Sequence, residues 1–350
     1  MYRLVRKILF LIQPERIHDL IMALLGILRN VPFAGALIRA LFCYRKPELK
    51  KEVFGLTFKN PVGLAAGFDK NGDRYNDLAN FGFGFIEIGS LTPEAQPGNP
   101  QPRCFRLVKD EAIINHMGIN NLGVRHAIEE LRRNKPECIL GCSISKGAKT
   151  PFKDAAKDYV RCLEFIYDFV DYITINVSCP NVKGVTKLQD SDNLSEIIDK
   201  MLELRLMYDD YRPILIKVSP DLTKEQLDEV IELTLISGLD GIIATNTTRD
   251  RSNLLTDQAT LDKIGEGGLS GKPLFEKSLS TVKYIAEKTK GNFPIIASGG
   301  IMTPEQAKQM LDAGASLIQV YSGFIYNGPS FAKKICKYLY KSKKQASASK

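Results

Sequence analysis

The stretch PIIASGGIMTPEQAKQMLDAGASLIQVYSG (294–323) contains a strand, a helix and a second strand in succession. PIIASGG (294–300) and LIQVYSG (317–323) are unbroken apolar runs that close on glycine or a polar side chain, the pattern of strands buried on both faces. Between them Thr303-Pro304-Glu305-Gln306 has the form of a capping box, and helical spacing follows from Pro304 to Ala313. Such a unit predicts two parallel strands joined by a crossover helix.

Six similar runs precede it: PVGLAAG (61–67), FIEIGS (85–90), CILGCSIS (138–145), DYITINVS (171–178), PILIKVS (213–219) and GIIATN (241–246). Helical spacing separates most of them, as in NLSEIIDKMLELRLM (193–207) and at 224–236. Eight strands of this kind predict an α/β protein, a closed (β/α)8 TIM barrel, whose polar C-terminal strand ends converge on one rim. Read from the sequence, that rim holds Lys70, Ser90, Ser143 or Ser145, Asn176, Lys217, Thr245 with Asn246, Gly299 with Gly300, and Tyr321 with Ser322. A purely structural barrel has no use for two lysines there, because a buried charge without a partner costs several kcal/mol.

At 350 residues the chain suits one barrel with an N-terminal addition. Seven widely spread cysteines (43, 104, 138, 142, 162, 179, 336), no CxxC pair and three histidines argue against a disulfide framework or a zinc site, and no metal is expected. Residues 1–51 carry ten Lys/Arg against three acids, net +7, and residues 333–350 carry seven Lys and no acid. The barrel between is mildly acidic, so the cationic character is confined to the ends. No nucleic-acid motif or aromatic platform accompanies these ends, and a nucleic-acid partner is not expected. An anionic membrane surface is the better match, because basic and apolar residues interleave. Ile17, Leu20, Ile21, Leu24, Leu25 and Leu28 recur at helical spacing, as do Phe33, Ala34, Leu37, Ile38, Leu41 and Phe42. They predict two amphipathic helices lying in an interface, each too short to span a bilayer. The start, MYRLVRKILFLIQPER (1–16), makes a poor signal peptide, and KSKKQASASK (341–350) is expected to be a disordered tail.

The small residues of NPVGLAAGFDKNG (60–72) let a flat ring approach the backbone before Asp69 and Lys70. An ammonium at Lys217 suits negative charge developing on a reduced flavin ring. Ser298-Gly299-Gly300, Tyr321-Ser322-Gly323 and GGLSG (267–271) offer backbone amides for a phosphate, with a helix N-terminus at Thr303–Gln306 behind the double glycine. No GxGxxG opens a βαβ unit, so a flavin mononucleotide fits better than a nicotinamide cofactor. Asn115, Asn120, Asn121, Asn176, Asn181 and Asn246 cluster at strand ends, and converging amides suit a planar substrate with alternating carbonyl and N–H groups. Cys179, after the fourth strand, is a candidate base.

In order along the chain, NPVGLAAGFDKNG, EIGSLTPEAQPGNPQPRCFRL (87–107), INHMGINN (114–121), INVSCPN (175–181), IKVSPDL (216–222), IATNTT (243–248), GGLSGKPL (267–274), IIASGGI (295–301) and LIQVYSG resemble dihydroorotate dehydrogenase, the flavin enzyme of pyrimidine synthesis. The N-terminal segment with PERIHDL (14–20) is similar to the extension of the membrane-associated, quinone-using class. The resemblance implies FMN held by Ala66, Gly67, Ser90, Ser143, Asn176, Lys217, Thr245, Gly268, Gly300, Tyr321 and Ser322. It implies dihydroorotate on Lys70, Asn115, Asn176, Asn181, Asn246 and Thr247, and a quinone tunnel bordered by His18, Arg106 and Tyr321. Cys179 would take a proton from dihydroorotate, Lys217 would stabilise the reduced ring, orotate would leave, and a membrane quinone would reoxidise the flavin. Two positions depart from the usual pattern of that class: Cys179 stands for serine and Ser143 for asparagine. The implied organisation is a helical membrane and quinone module at 1–45, an FMN-binding barrel at 46–335 and a basic tail at 336–350. The implied location is peripheral, on the cytoplasmic face of the inner membrane. Three rivals remain: a soluble-class enzyme passing electrons to fumarate or an NAD-linked partner, an FMN barrel with another ring substrate, and a membrane-bound binding scaffold.

Overall fold

The computed structural model describes residues 2–178 and 191–348. All eight expected runs become strands: β1 (Val62–Leu64), β2 (Phe85–Leu91), β3 (Ile139–Ile144), β4 (Tyr172–Asn176), β5 (Ile214–Val218), β6 (Gly241–Ala244), β7 (Ile295–Ser298) and β8 (Leu317–Val320). They close into a parallel barrel in sequence order, with β8 beside β1. Register sets opposite one another the residues that matter at the rim: Asn176 pairs with Lys217, and Ser298 with Gln319.

The barrel is filled from the bottom. A hairpin of Lys51–Val53 and Leu56–Phe58 sits at the end where the strands begin, and Phe58 joins Phe85, Tyr172, Leu215, Ile243, Ile296 and Leu317 in a fully buried plug. The Tyr172 ring lies where any side chain on Gly141 would stand, so that strand position admits only glycine. One layer higher the filling turns polar. The Glu87 carboxyl accepts from Tyr172 Oη (3.0 Å), Thr174 Oγ1 (3.2 Å) and Gln319 Nε2 (2.8 Å), tying β2, β4 and β8 together across the interior.

A second sheet was not expected. Cys104–Leu107, Ala112–Asn115 and Gly268–Gly271 form three antiparallel strands, so GGLSG, read as a phosphate loop, is in large part a strand paired to Ala112–Asn115. Before the barrel come α1 (Tyr2–Leu9), α2 (Pro14–Arg29) and α3 (Ala34–Phe42). The last two are the expected amphipathic pair, while α1 was not anticipated. It has no buried residue of its own and is held by polar ties, Tyr2 Oη to Ile325 O (2.6 Å) and Arg6 Nη1 to Tyr326 O (2.8 Å). Among the described residues no single helix is long and apolar enough to cross a membrane; α2 and α3 together meet the length and composition but bend by 118°.

The C-terminal segment also differs from expectation. A helix runs from Phe331 to Ala348, covering most of the supposed disordered tail. Phe331, Ala332, Ile335, Cys336 and Leu339 bury one stripe of it against the barrel, and the helix continues beyond that anchor into the lysine-rich end.

Candidate active site

A cavity of about 590 Å³ opens at the C-terminal rim and continues between the barrel and the N-terminal helices. Its floor comes from strand ends. Ala65, Ala66 and Gly67 after β1, Ser90 on β2, Asn176 on β4, Lys217 on β5, Thr245 and Asn246 after β6, Ser298 to Gly300 at β7, and Tyr321 and Ser322 after β8 all line it. Of the residues assigned to FMN, Ser143 and Gly268 do not. Ser143 is fully buried behind Ser90, their hydroxyls 2.7 Å apart. Gly268 sits in the three-stranded sheet, its carbonyl 3.5 Å from Asn115 Nδ2.

The polar wall is one connected network. Asn176 Nδ2 donates to Ser90 Oγ (2.7 Å), and Asn176 Oδ1 accepts from Ser178 Oγ (3.3 Å) and Asn246 Nδ2 (3.4 Å). Asn246 Nδ2 also donates to Ser178 Oγ (2.9 Å), and Asn246 Oδ1 accepts the Thr247 N–H (2.8 Å). Each amide therefore has a fixed orientation before any ligand arrives. Ser270 Oγ lies 2.8 Å from Ser322 Oγ, which fastens the extra sheet to the end of β8. That contact, and Gln319 as a cavity residue, escaped the sequence reading; the signal was a lone glutamine in the middle of an apolar strand, LIQV.

Lys70, Asn115, Asn246 and Thr247 line the same cavity. Burial lowers the Lys70 ammonium from its ordinary pKa, while Glu15 and Asp19 of α2 and the Cys104 thiol work to raise it. Cys179 and Asn181 lie outside the described residues. Thr303 does not line the cavity; Thr303 and Gln306 cap each other, as the capping-box reading required. The backbone of Gly299 and Gly300, at φ +109° and +73°, forms that wall instead, and a side chain on Gly300 would collide with the Phe275 backbone.

The upper wall is apolar: Ile17, Ile21, Leu24, Leu25 and Leu28 of α2 with Ile38 of α3, against Leu78, Phe81 and Phe324. His18 lies there, edge-on to Phe68 at 5.1 Å. Burial, reinforced by Lys70, pushes its imidazole down to about 4, so it is neutral at physiological pH. Arg106 Nη1 donates to Ile12 O (2.7 Å), its guanidinium lies 4.5 Å from the centre of the Phe10 ring, and Tyr321 Oη reaches Gly67 O (3.3 Å). Glu15 and Arg103, both buried, join α2 to the loop before Cys104 by a two-pronged pair (Nη2 to Oε1 2.6 Å, Nε to Oε1 3.0 Å). Burial works to raise the Glu15 carboxyl, but the Arg103 hydrogen bond and charge outweigh it and hold it below its usual value. The pair was not foreseen, since nothing in sequence spacing links 15 with 103.

A closed barrel whose rim carries lysine, amide and glycine walls and opens into an apolar shaft defines a (β/α)8 enzyme with its chemistry at the C-terminal face. The family model for dihydroorotate dehydrogenase matches residues 48–342. Proteins named dihydroorotate dehydrogenase (quinone) from Proteus mirabilis and Christiangramia forsetii are 46% and 44% identical, covering 97% and 96% of this chain and 99% and 97% of their own. The crystal structure of DHODH from Eimeria tenella in complex with ferulenol superposes with a TM-score of 0.85 at 36% identity, covering 96% of this chain and 93% of that one. The chain belongs to the dihydroorotate dehydrogenase family, whose members are flavin-dependent oxidoreductases.

Proposed function

We propose that this chain oxidises dihydroorotate to orotate in pyrimidine synthesis, with FMN as its flavin and a membrane quinone as electron acceptor. The observation that carries the reading is the single cavity joining a polar barrel rim to an apolar shaft under α2 and α3. One end suits a polar, anionic substrate and the other a lipid-soluble acceptor. The full-length likeness to quinone-named relatives supports the same acceptor.

The residues fit FMN. Asn120 Oδ1, Thr247 Oγ1 and Gln319 Oε1 are buried without a partner among the described residues, and all three residues line this cavity, so it is built for a ligand with polar edges. Ala66, Gly67, Ser90, Asn176, Lys217, Thr245, Gly300, Tyr321 and Ser322 would hold it, with Ser143 acting through Ser90 and Gly268 through Asn115. When bound, the flavin supplies the acceptor for the two electrons removed from the substrate. Lys217, at the floor, would stabilise negative charge on the ring. Lys70 attracts the carboxylate of dihydroorotate, and the oriented amides of Asn115, Asn176 and Asn246, with Asn181 and Thr247, read its ring edges. Cys179 is assigned the base that takes the C5 proton. His18, Arg106 and Tyr321 border the quinone path.

In the organisation we favour, residues 1–45 form the membrane and quinone module, 46–335 the FMN barrel and 336–350 a basic C-terminal segment. The exposed apolar residues Leu20, Ile27, Phe33 and Leu37 support peripheral contact with an anionic bilayer, assigned to the cytoplasmic face. The deciding experiment is anaerobic: the yellow protein is mixed with dihydroorotate, bleaching is followed, and quinone or fumarate is added. Bleaching reversed by quinone is expected. Reversal by fumarate alone would move the protein to the soluble class, and a protein that stays yellow would end the proposal.

A further inference from the structure

We propose that the C-terminal helix is a second lipid-docking element, its lysine stripe binding anionic headgroups beside the apolar N-terminal helices; this rests on the membrane reading above. The helix Phe331–Ala348 has two opposed faces. Phe331, Ala332, Ile335, Cys336 and Leu339 are buried against the barrel. Lys334, Lys337, Lys341 and Lys344 follow one another at spacings of three, four and three, fall on the opposite face and are all exposed. No acidic residue follows Asp312 in the whole chain, so no carboxylate of this helix offsets the stripe. Like charges at these spacings weaken an isolated helix, a cost offset only in part by Lys337 on the Tyr44 ring and Lys344 on the Tyr340 ring. An anionic surface turns that repulsion into attraction.

The stripe is continuous with the N-terminal module. Lys333 Nζ donates to Leu41 O (2.5 Å) at the end of α3, and Lys343 Nζ donates to Glu48 O (2.9 Å). Between these ties the Tyr44 and Tyr340 rings meet at 5.9 Å, with the Lys337 ammonium 5.8 Å from Tyr44 and the Lys46 ammonium 5.4 Å from Tyr340. The helix therefore lies along the segment that follows α3, and α3 itself carries Leu37 and Leu41, 62% and 55% exposed. Apolar side chains, tyrosines and a row of lysines in adjacent strips form the layering an anionic bilayer interface selects. A duplex nucleic acid would meet the same charge but would have no use for the exposed leucines.

The test is vesicle co-flotation of the flavin-loaded full chain, with phosphatidylcholine vesicles alone or containing phosphatidylglycerol. The variant K334Q/K337Q/K341Q/K344Q should lose on the order of 100-fold in partitioning to the anionic vesicles at low salt. Its binding to phosphatidylcholine and its bleaching by dihydroorotate should be unchanged, and the matching four-arginine variant should bind as the parent does. Equal binding of parent and glutamine variant to anionic vesicles would overturn the proposal while leaving the N-terminal membrane reading intact. A parent that floats with neither vesicle would overturn both. Loss of DNA binding in the variant with anionic-vesicle binding retained would reassign the stripe to nucleic acid.

Discussion

The two walls of the cavity are built by different means. At the rim a row of hydroxyls and amides is fixed by strand register and by hydrogen bonds that pass from strand to strand, Ser143 to Ser90 to Asn176 to Asn246. The helical wall is apolar and is attached by a few side-chain ties: Glu15 with Arg103, Arg74 Nε to Met22 O (2.9 Å), Arg106 with Ile12 O, and Tyr2 and Arg6 on the 325–326 backbone. Chemistry that tolerates little displacement sits where the backbone dictates position, while the apolar shaft proposed for the acceptor lies under a layer held by those few ties. The two halves of the reaction should therefore fail separately.

Cys179→Ala puts the largest strain on that separation. A positioned base contributes roughly 100- to 10,000-fold, so dihydroorotate should bleach the flavin about a thousandfold more slowly. Reoxidation of chemically reduced enzyme by quinone should be unaffected, as stopped-flow absorbance would report. An equal loss in both half-reactions would show that the walls are coupled.

The next effect belongs to the helical wall. Glu15→Ala leaves the buried Arg103 guanidinium without its carboxylate, which costs about 3 to 4 kcal/mol. The loss should fall on α2, read as faster amide hydrogen exchange over 14–29 with β1 to β8 unchanged. Uniform deprotection of the barrel would show that the N-terminal helices are part of its cooperative core.

The sequence carried the barrel and the α2–α3 pair well, and the pieces held only by long-range contacts poorly, for a physical reason. A strand buried on both faces must be an apolar run, and the turn into solvent must be glycine or polar, so 294–323 and its six counterparts declare themselves. The three-stranded sheet leaves no such mark: CFRL, AIIN and GLSG are four residues each, and only long-range pairing makes them strands. GGLSG was read as a loop for that reason. Likewise α1 depends on contacts more than 300 positions away, and the lysine-rich end is helical because a buried stripe upstream anchors it. Ser143 and Gln319 show the same limit within the site. Strand alternation marks them as inward, but which of them reaches the cavity depends on the neighbours in their layer.

His18 provides a pH test of the helical wall. Its folded value, about 4, lies below the ordinary 6.5, so the unfolded chain takes up a proton first as pH falls. This contribution to stability is intact above pH 6.5 and is lost progressively between 6.5 and 4, amounting to about 3 kcal/mol. His18→Leu should flatten urea midpoints across that window while Lys70 and Glu15, the charges that face His18, remain in place. An unchanged slope would mean that the ring is hydrated and the shaft beside it is wet.

The smallest expected effect tests the rim at its outermost member. Ser143 does not line the cavity, yet its hydroxyl is one of two polar partners of Ser90, the other being the Asn176 amide. Ser143→Ala removes one hydrogen bond in a fully buried place, worth about 1 kcal/mol, or roughly fivefold in flavin affinity. Flavin release on dilution, followed by fluorescence, measures it directly. Quinone reoxidation and exchange over α2 should stay as in the parent, because the perturbation passes along the strand network and that network ends at the rim. If so slight a change in the barrel loosened α2, rigidity would be shared between the walls, and the contrast drawn between them would be wrong.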